Sequence, residues 1–241
     1  MTEGKEKNFG RFLKKQYHIP TLSIIMKTVS LYIALVLVIV VLCTSCAQQS
    51  KQSSPKQEQR NMTSSLDTAT LASGCFWCVE AIFQNLKGVQ SVASGYSGGT
   101  VKNPSYEEVC SGTTGHAEAC QIVYDPKQIT FDELLEVFWK MHDPTTLNQQ
   151  GADVGTQYRS AVFYHNEEQK KLAEHYKKEL NASGVYSSPV VTEITPYTNF
   201  YKAEDYHQNY YNQHGDQPYC RLVIQPKVEK FNKVFKDKLK K

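Results

Sequence analysis

The sequence predicts an α+β domain in which helices flank a mixed β-sheet. Two observations predict this class. Segments with strand-like alternation interleave with segments of helix-like apolar periodicity over the C-terminal two thirds of the chain. Several strand segments are also separated by hairpin-length spacings, which favours mixed or antiparallel pairing. About 170 of the 241 residues remain once the N-terminal segment is set aside, and this length fits one domain with its own core.

The first predicted strand and helix meet at a glycine. The segment TATLASG, residues 68–74, has the alternation of a short strand. Apolar residues then recur at the i, i+3, i+4 and i+7 spacing of a helix: Val79, Ile82, Phe83 and Leu86. Cys75 is therefore expected at a strand-to-helix turn, which Gly74 lets the chain make.

The remaining strands and helices follow the same two periods. Further strands are predicted at residues 89–99, 117–125, 160–165 and 189–194. Helices are predicted at residues 131–143, from Asn166 to a stop near Gly184, and at the C-terminus through Val228, Phe231, Phe235 and Leu239. Thr130 with Glu133 forms the capping box of the first of these helices, and Asn166 with Gln169 opens the second.

The N-terminal segment, residues 1–46, is typical of a targeting signal. Residues 28–50 carry no charge and follow a basic stretch that includes Lys27. The apolar run ends in CTSC, which resembles a bacterial lipobox with Cys46 as the lipidated first residue of the mature chain. An uncleaved signal anchor and an ordinary cleaved signal remain alternatives. Residues 47–66 predict a flexible polar linker, so we expect residues 67–241 to form an exported domain held at a membrane, facing the periplasm or cell exterior.

Charge and cysteine content narrow the class of function. Residues 1–27 hold six Lys/Arg and two Glu, so the rest of the chain carries 21 positive and 22 negative side chains. A neutral body has no nucleic-acid footprint, and no nucleic-acid partner is expected. The body has an odd number of cysteines, so at least one is free or cycling in an oxidising compartment: Cys75, Cys78, Cys110, Cys120 and Cys220.

Three short stretches carry the candidate chemistry. In GCFWCVE, residues 74–80, a helix N-terminus would lower the pKa of the Cys75 thiol, and Cys78 one turn later could reach it to form a disulfide. In residues 103–126, Glu118 is a candidate general acid, because desolvation near a thiolate raises the pKa of a carboxyl. In GADVGTQYRS, residues 151–160, polar groups cluster with glycines, which indicates a turn or a site.

Together these stretches resemble the peptide methionine sulfoxide reductases of the A type, MsrA. The resemblance extends over about residues 68–235 and includes VFWKMHDPTT, YKAEDYHQNYY and PYCRLVIQPKVEKF. It implies a ferredoxin-like two-layer core and reduction of the S epimer of methionine sulfoxide, free or in proteins. It also implies that the enzyme uses no metal or organic cofactor and is regenerated by an external, thioredoxin-like dithiol. We expect the protein to be a monomer. In an exported domain, this activity would repair oxidised proteins outside the cytoplasm.

The same resemblance assigns roles to individual residues. It implies that Cys75 attacks the sulfoxide sulfur and becomes a sulfenic acid, while Phe76 and Trp77 line the pocket for the substrate methyl group. Glu118 would protonate or hydrogen-bond the sulfoxide oxygen. The residues that assist it or shape the site are Tyr106, Tyr158 and Asp153. A neutral carboxylic acid and two phenols suit a leaving oxygen that needs a proton.

The resolving thiol and the reaction class leave alternatives open. Cys78 is favoured as the first resolver because it is local, with Cys220 as the alternative or as a second relay. His207 is expected to be a structural histidine. A zinc deaminase would use H-x-E and C-x-x-C elements, which occur here in reversed order. A thioredoxin-like oxidoreductase and a lipid-anchored binding module with a structural disulfide are further alternatives.

Overall fold

The computed structural model of the protein describes residues 66–240. The predicted signal segment with Cys46 and almost all of the predicted linker lie outside the described residues. Within residues 66–240, no helix is long and apolar enough to cross a membrane.

A six-stranded mixed sheet forms the centre of the domain, in the order β7-β6-β1-β3-β2-β8. Strands β6 and β7 are parallel, and the other neighbours are antiparallel. A separate two-stranded hairpin is formed by β4 and β5. The strands are β1 Asp67–Ser73, β2 Val89–Ser97, β3 Ala117–Tyr124, β4 Gln149–Gln150, β5 Asp153–Val154, β6 Ser160–Tyr164, β7 Glu193–Pro196 and β8 Phe200–Lys202. The order β6-β1-β3-β2 of the inner strands is that of a ferredoxin-like unit, so the predicted α+β class is confirmed.

Six α-helices accompany the sheet in the described residues. They are α1 Phe76–Phe83, α2 Tyr106–Cys110, α3 Phe131–Met141, α4 Glu167–Ser183, α5 Tyr210–Gln213 and α6 Gln225–Val234, the last preceded by a π-helical turn, Cys220–Ile224. The predicted caps form: the Thr130 side chain accepts from the Glu133 amide and the Glu133 carboxylate accepts from the Thr130 amide. Asn166 caps α4, and Gly184 ends it in the left-handed conformation.

The elements differ from the sequence prediction at four places. Helix α1 ends at Phe83, and Leu86 instead pairs with Leu239 in an isolated bridge. The predicted C-terminal helix ends at Val234, so Phe235 and Leu239 lie beyond α6. The strand predicted at residues 189–194 begins only at Glu193, because the amides before it bond elsewhere: Val190 to the Asn181 side chain and Val191 to the Pro144 carbonyl. The short elements α2 and β8 have too few residues to show a period and were not predicted.

Helix α1 packs against the sheet and closes the core over β1, β2 and β3. Most of its residues are buried, including Phe76 and Phe83. The sheet strands beneath it carry fully buried side chains such as Leu71, Tyr96 and Ile122. The start of α1 is therefore held rigidly at the end of β1, where the predicted site lies.

Candidate active site

Gly74 makes the turn that places Cys75 at the start of α1. Its φ of +87° lies in the region that favours glycine, and a Cβ there would approach the Gln150 side chain to 2.7 Å. Cys75 is the N-cap residue of α1, and its carbonyl accepts from the Cys78 amide at 3.0 Å. Cys78 therefore lies one helical turn after Cys75.

The side chain of Glu118, on β3, contacts the first residue of α1. Its Oε2 accepts from the Phe76 amide at 3.0 Å, and the residue is only 1% exposed. Burial raises the pKa of this carboxyl to about 8, and the charges of Asp153 and Cys78 add to the rise. Glu118 therefore carries its proton at neutral pH, as the sequence predicts for a general acid.

Cys75 is buried and is a thiol in the resting protein. Burial raises its pKa, and so do its hydrogen bond with Cys78 and the nearby carboxyl of Glu118. The prediction that the helix N-terminus populates the Cys75 thiolate is therefore wrong, because removal from water and the hydrogen bond to Cys78 outweigh the helix end.

The pKa of Cys78 is shifted in the opposite direction to that of Cys75. Its pKa is lowered, first by the hydrogen bond that it receives from Cys75 and then by the Lys227 ammonium, against the effect of burial. The negative charge of the pair is accordingly favoured on Cys78. Its sulfur accepts a hydrogen bond from Lys227 Nζ at 3.6 Å.

Two tyrosines stand close to the Glu118 carboxyl. Burial raises the pKa of Tyr106 and of Tyr158, and the Glu118 charge raises both further. Both phenols therefore remain protonated hydrogen-bond donors. The Tyr106 amide donates to Glu204 Oε1 at 2.9 Å, which fixes the start of α2 at this edge of the site.

Asp153 reaches the site through a residue that sequence analysis missed. Tyr219 donates to Asp153 Oδ2 at 2.7 Å, and its hydroxyl lies next to the Cys75 thiol. The only sequence signal for Tyr219 is its place in the PYC segment beside Cys220. Asp153 thus shapes the site by orienting a phenol.

Aromatic side chains form one wall of the site. Phe76 is buried, while the Trp77 ring stacks on Tyr210 with centroids 3.7 Å apart. Trp77 Nε1 donates to His207 Nδ1 at 3.2 Å, so the His207 proton resides on Nε2, which lies 4.0 Å from Glu204 Oε2. His207 packs against the indole and accepts its N–H, whereas its buried Nε2 has no hydrogen-bond partner among the described residues.

The other three cysteines occupy different positions. Cys220 is fully buried in the π-helical turn, directly after Tyr219. Cys120 is buried on β3 near Ser94, and Cys110 is exposed at the end of α2. Cys78 is therefore the cysteine in direct hydrogen-bond contact with Cys75.

The H-x-E and C-x-x-C elements do not combine into a ligand set. His116 Nδ1 accepts from the Gly99 amide at 3.1 Å, and Nε2 donates to the Val101 carbonyl at 2.8 Å. Both ring nitrogens of His116 are thus hydrogen-bonded to the backbone. Within the described part of the chain, no group of three potential metal ligands is found. This arrangement disfavours the zinc deaminase alternative.

Comparison with known proteins gives the same family at the level of sequence and of structure. The family "Peptide methionine sulfoxide reductase" matches residues 67–239. A relative named "Peptide methionine sulfoxide reductase MsrA" from Saccharolobus solfataricus is 57% identical over 175 residues, which cover 73% of this chain and 98% of that protein.

Two solved structures are also similar. The reduced form of Mxr1 from Saccharomyces cerevisiae has a TM-score of 0.59 and 37% identity, covering 64% of this chain and 89% of that one. Methionine sulfoxide reductase A of Corynebacterium diphtheriae has a TM-score of 0.57 and 38% identity, covering 62% of this chain and 75% of that one.

Proposed function

This chain belongs to the peptide methionine sulfoxide reductase family and is a peptide methionine sulfoxide reductase of the A type, and we propose that it reduces the S epimer of methionine sulfoxide through a covalent cycle at Cys75. The observation that carries this proposal is the protonated Glu118 carboxyl, bonded to the Phe76 amide directly beside Cys75. A nucleophile, a proton donor and two neutral phenols thus meet at one helix start.

In the first step, the Cys75 sulfur attacks the sulfoxide sulfur. Glu118 gives its proton to the sulfoxide oxygen, which Tyr106 and Tyr158 hold without adding charge. The S–O bond of the substrate and the transient bond between the two sulfurs then break as the hydroxyl group passes to the Cys75 sulfur, which becomes a sulfenic acid. The substrate sulfur gains two electrons and leaves as methionine, and the proton of the Cys75 thiol returns to the Glu118 carboxylate. Phe76 and Trp77 bind the substrate methyl group, and Asp153 orients the site through Tyr219.

In the second step, Cys78 resolves the sulfenic acid as a Cys75–Cys78 disulfide with release of water. An external dithiol of the thioredoxin-like kind then reduces this disulfide by thiol–disulfide exchange. The direct contact between Cys75 and Cys78 supports this order, and Cys220 then acts as a later relay or is not used.

The reaction and the nucleophile can be tested together. We expect full-length protein with excess dithiothreitol to consume the S epimer of N-blocked methionine sulfoxide and to spare the R epimer. Cys75→Ser should abolish this activity, whereas Cys110→Ser, at an exposed thiol, should retain it. Consumption of neither epimer by the folded wild-type protein would contradict the proposed function.

The resolving thiol can be tested by peptide mapping. After one turnover without reductant, we expect a Cys75–Cys78 disulfide with Cys220 still open to alkylation after unfolding. A Cys75–Cys220 disulfide with Cys78 free would reverse the proposed order while leaving the first step intact.

We further propose that the enzyme is an exported monomer anchored at a membrane by a lipid on Cys46, where it repairs oxidised proteins outside the cytoplasm. The CTSC segment and the polar residues after it support this location. Labelling with a fatty-acid analogue should mark the wild-type chain but not Cys46→Ser. Recovery of unlabelled wild-type protein in the cytoplasm would contradict the location but not the activity.

A further inference from the structure

Lys227 is a charged residue that the proposed catalytic steps leave unused. It is the third residue of α6, and its Nζ donates to the sulfur of Cys78 at 3.6 Å. Cys78 is only 3% exposed and Lys227 is half-buried, so the ammonium reaches a thiol that is itself largely removed from water. An interaction between opposite charges is strengthened in such surroundings.

The partners of Lys227 distinguish it from other lysines of the domain. Lys238, for comparison, forms ion pairs with Glu133 and Glu136. Among residues 66–240, no carboxylate forms an ion pair with Lys227, and the Cys78 sulfur is the acceptor of its hydrogen bond. A thiol is a weak acceptor, whereas a thiolate is a strong partner for an ammonium. The contact is therefore most favourable when Cys78 is negatively charged.

A packing role can be separated from a role of the charge. The Lys227 side chain lines a small cavity with apolar neighbours that include Phe138 and Met141. An unbranched apolar side chain of similar length would fill that space as well as the lysine stem does. Only the charged end distinguishes the two roles, so methionine and arginine are the informative replacements.

We propose that Lys227 is a positioning residue for the resolving step, which holds the Cys78 thiolate in place and stabilises it for attack on the Cys75 sulfenic acid. This inference rests on the proposed function. The Cys78 sulfur forms the S–S bond with Cys75 as the S–O bond breaks. The Cys78 sulfur is oxidised, the sulfenic sulfur is reduced, and the departing hydroxide takes up one proton to become water. Lys227 keeps its own proton throughout.

Several other groups face the two thiols and contribute to the pH dependence of this step. Negative or ionisable groups near Cys78 come from every neighbouring element: Cys75, Glu118, Cys120, Asp153, Tyr219 and Cys220. Lys227 is the cation among the charges that act on Cys78, and it also acts on His142. Removal of Lys227 therefore leaves the hydrogen bond from Cys75 as the remaining interaction that favours a negative charge on Cys78, and the charge of Asp153 opposes it.

The test follows the two half-reactions separately in full-length protein. One equivalent of the S epimer is mixed with reduced enzyme, and methionine, dimedone-trapped sulfenic acid and disulfide are measured with time. The variants are Lys227→Met, Lys227→Arg and, as a matched control on the exposed side of α6, Lys230→Met. Thermal melts confirm that each variant is folded.

We expect Lys227→Met to form methionine in the wild-type amount but to form disulfide about tenfold more slowly at pH 7, with accumulation of trapped sulfenic acid. The disulfide step should recover as the pH rises and populates the Cys78 thiolate. Lys227→Arg should retain most of the rate, and Lys230→Met should match the wild type.

Two results would overturn the inference. One is a disulfide rate in Lys227→Met equal to that of the wild type at every pH. The other is an equal loss in Lys227→Met and Lys227→Arg without recovery at high pH, which would indicate packing. Absence of methionine in the wild type would instead contradict the proposed function, so the two failures are distinguishable.

Discussion

At the scale of single residues, the site depends on carboxyl and thiol groups that are kept from water. Glu118 is placed under the start of α1 by a bond to the Phe76 amide, and burial raises its pKa to about 8. The same burial keeps the proton on Cys75. Glu118 and Cys75 are therefore uncharged in the resting protein, and charge develops on them when substrate arrives.

The raised pKa of Glu118 predicts an alkaline limit of activity. A general acid must be protonated, so kcat/KM should fall as the pH rises through about 8. Glu118→Gln should lower kcat/KM by about a hundredfold or more and should remove that limit, since the amide does not titrate. The matched control is Glu107→Gln, at an exposed carboxylate on α2. An alkaline limit that persists in Glu118→Gln would assign the proton to another group.

At the scale of elements, the turn between β1 and α1 determines where Cys75 lies. The turn depends on Gly74, whose φ is positive and whose missing Cβ leaves room for Gln150. Gln150 is itself fixed, because its side chain bonds the Asp143 amide and carbonyl. The sequence predicts this turn from the change of period between 68–74 and the helix, but it does not reveal the contact with Gln150.

Gly74→Ala should therefore lower the free energy of unfolding by more than an ordinary replacement of glycine does. Gly184→Ala is the matched control, because Gly184 also has a positive φ but a Cβ added there would meet no atom within 4 Å. Both variants should lose about 1 kcal/mol from backbone strain. Gly74→Ala should lose more in urea unfolding and should also lower kcat, because Cys75 shifts. Equal losses in both variants with unchanged kcat would contradict this view of the turn.

At the scale of the whole molecule, a partly buried histidine links α3 to the sheet. His142 Nδ1 donates to the Phe138 carbonyl at 2.6 Å, so its Nε2 accepts from Ser160 Oγ on β6 at 2.8 Å. Burial lowers the pKa of His142 to about 4. The folded protein therefore needs the neutral ring, and protonation would leave Nε2–H facing a hydroxyl that must reorient.

This histidine predicts a loss of stability in mild acid. Between pH 6.5 and 4 the unfolded chain binds a proton that the folded chain does not, so stability rises with pH over this window. The free energy of unfolding should fall by about 2 to 3 kcal/mol as the pH drops through it. His142→Asn should flatten this dependence, whereas His175→Asn, at an exposed site on α4, should leave it unchanged. Urea midpoints from pH 4 to 7.5 check both, and an unchanged slope in His142→Asn would refute the assignment.

The sequence by itself determined the fold class, the family, the strand-to-helix turn at Cys75 and the caps at Thr130 and Asn166. Each of these depends on periodicity, spacing or side chains within a few positions, which a linear reading contains. The tertiary structure decided the protonation of the site and its supporting contacts. Cys78 meets Lys227 across 149 positions, and Phe76 meets Glu118 across 42. Burial and charge at a site are set by residues that only the folded chain brings together, so the resting thiol at Cys75 could not be read from its place at a helix N-terminus.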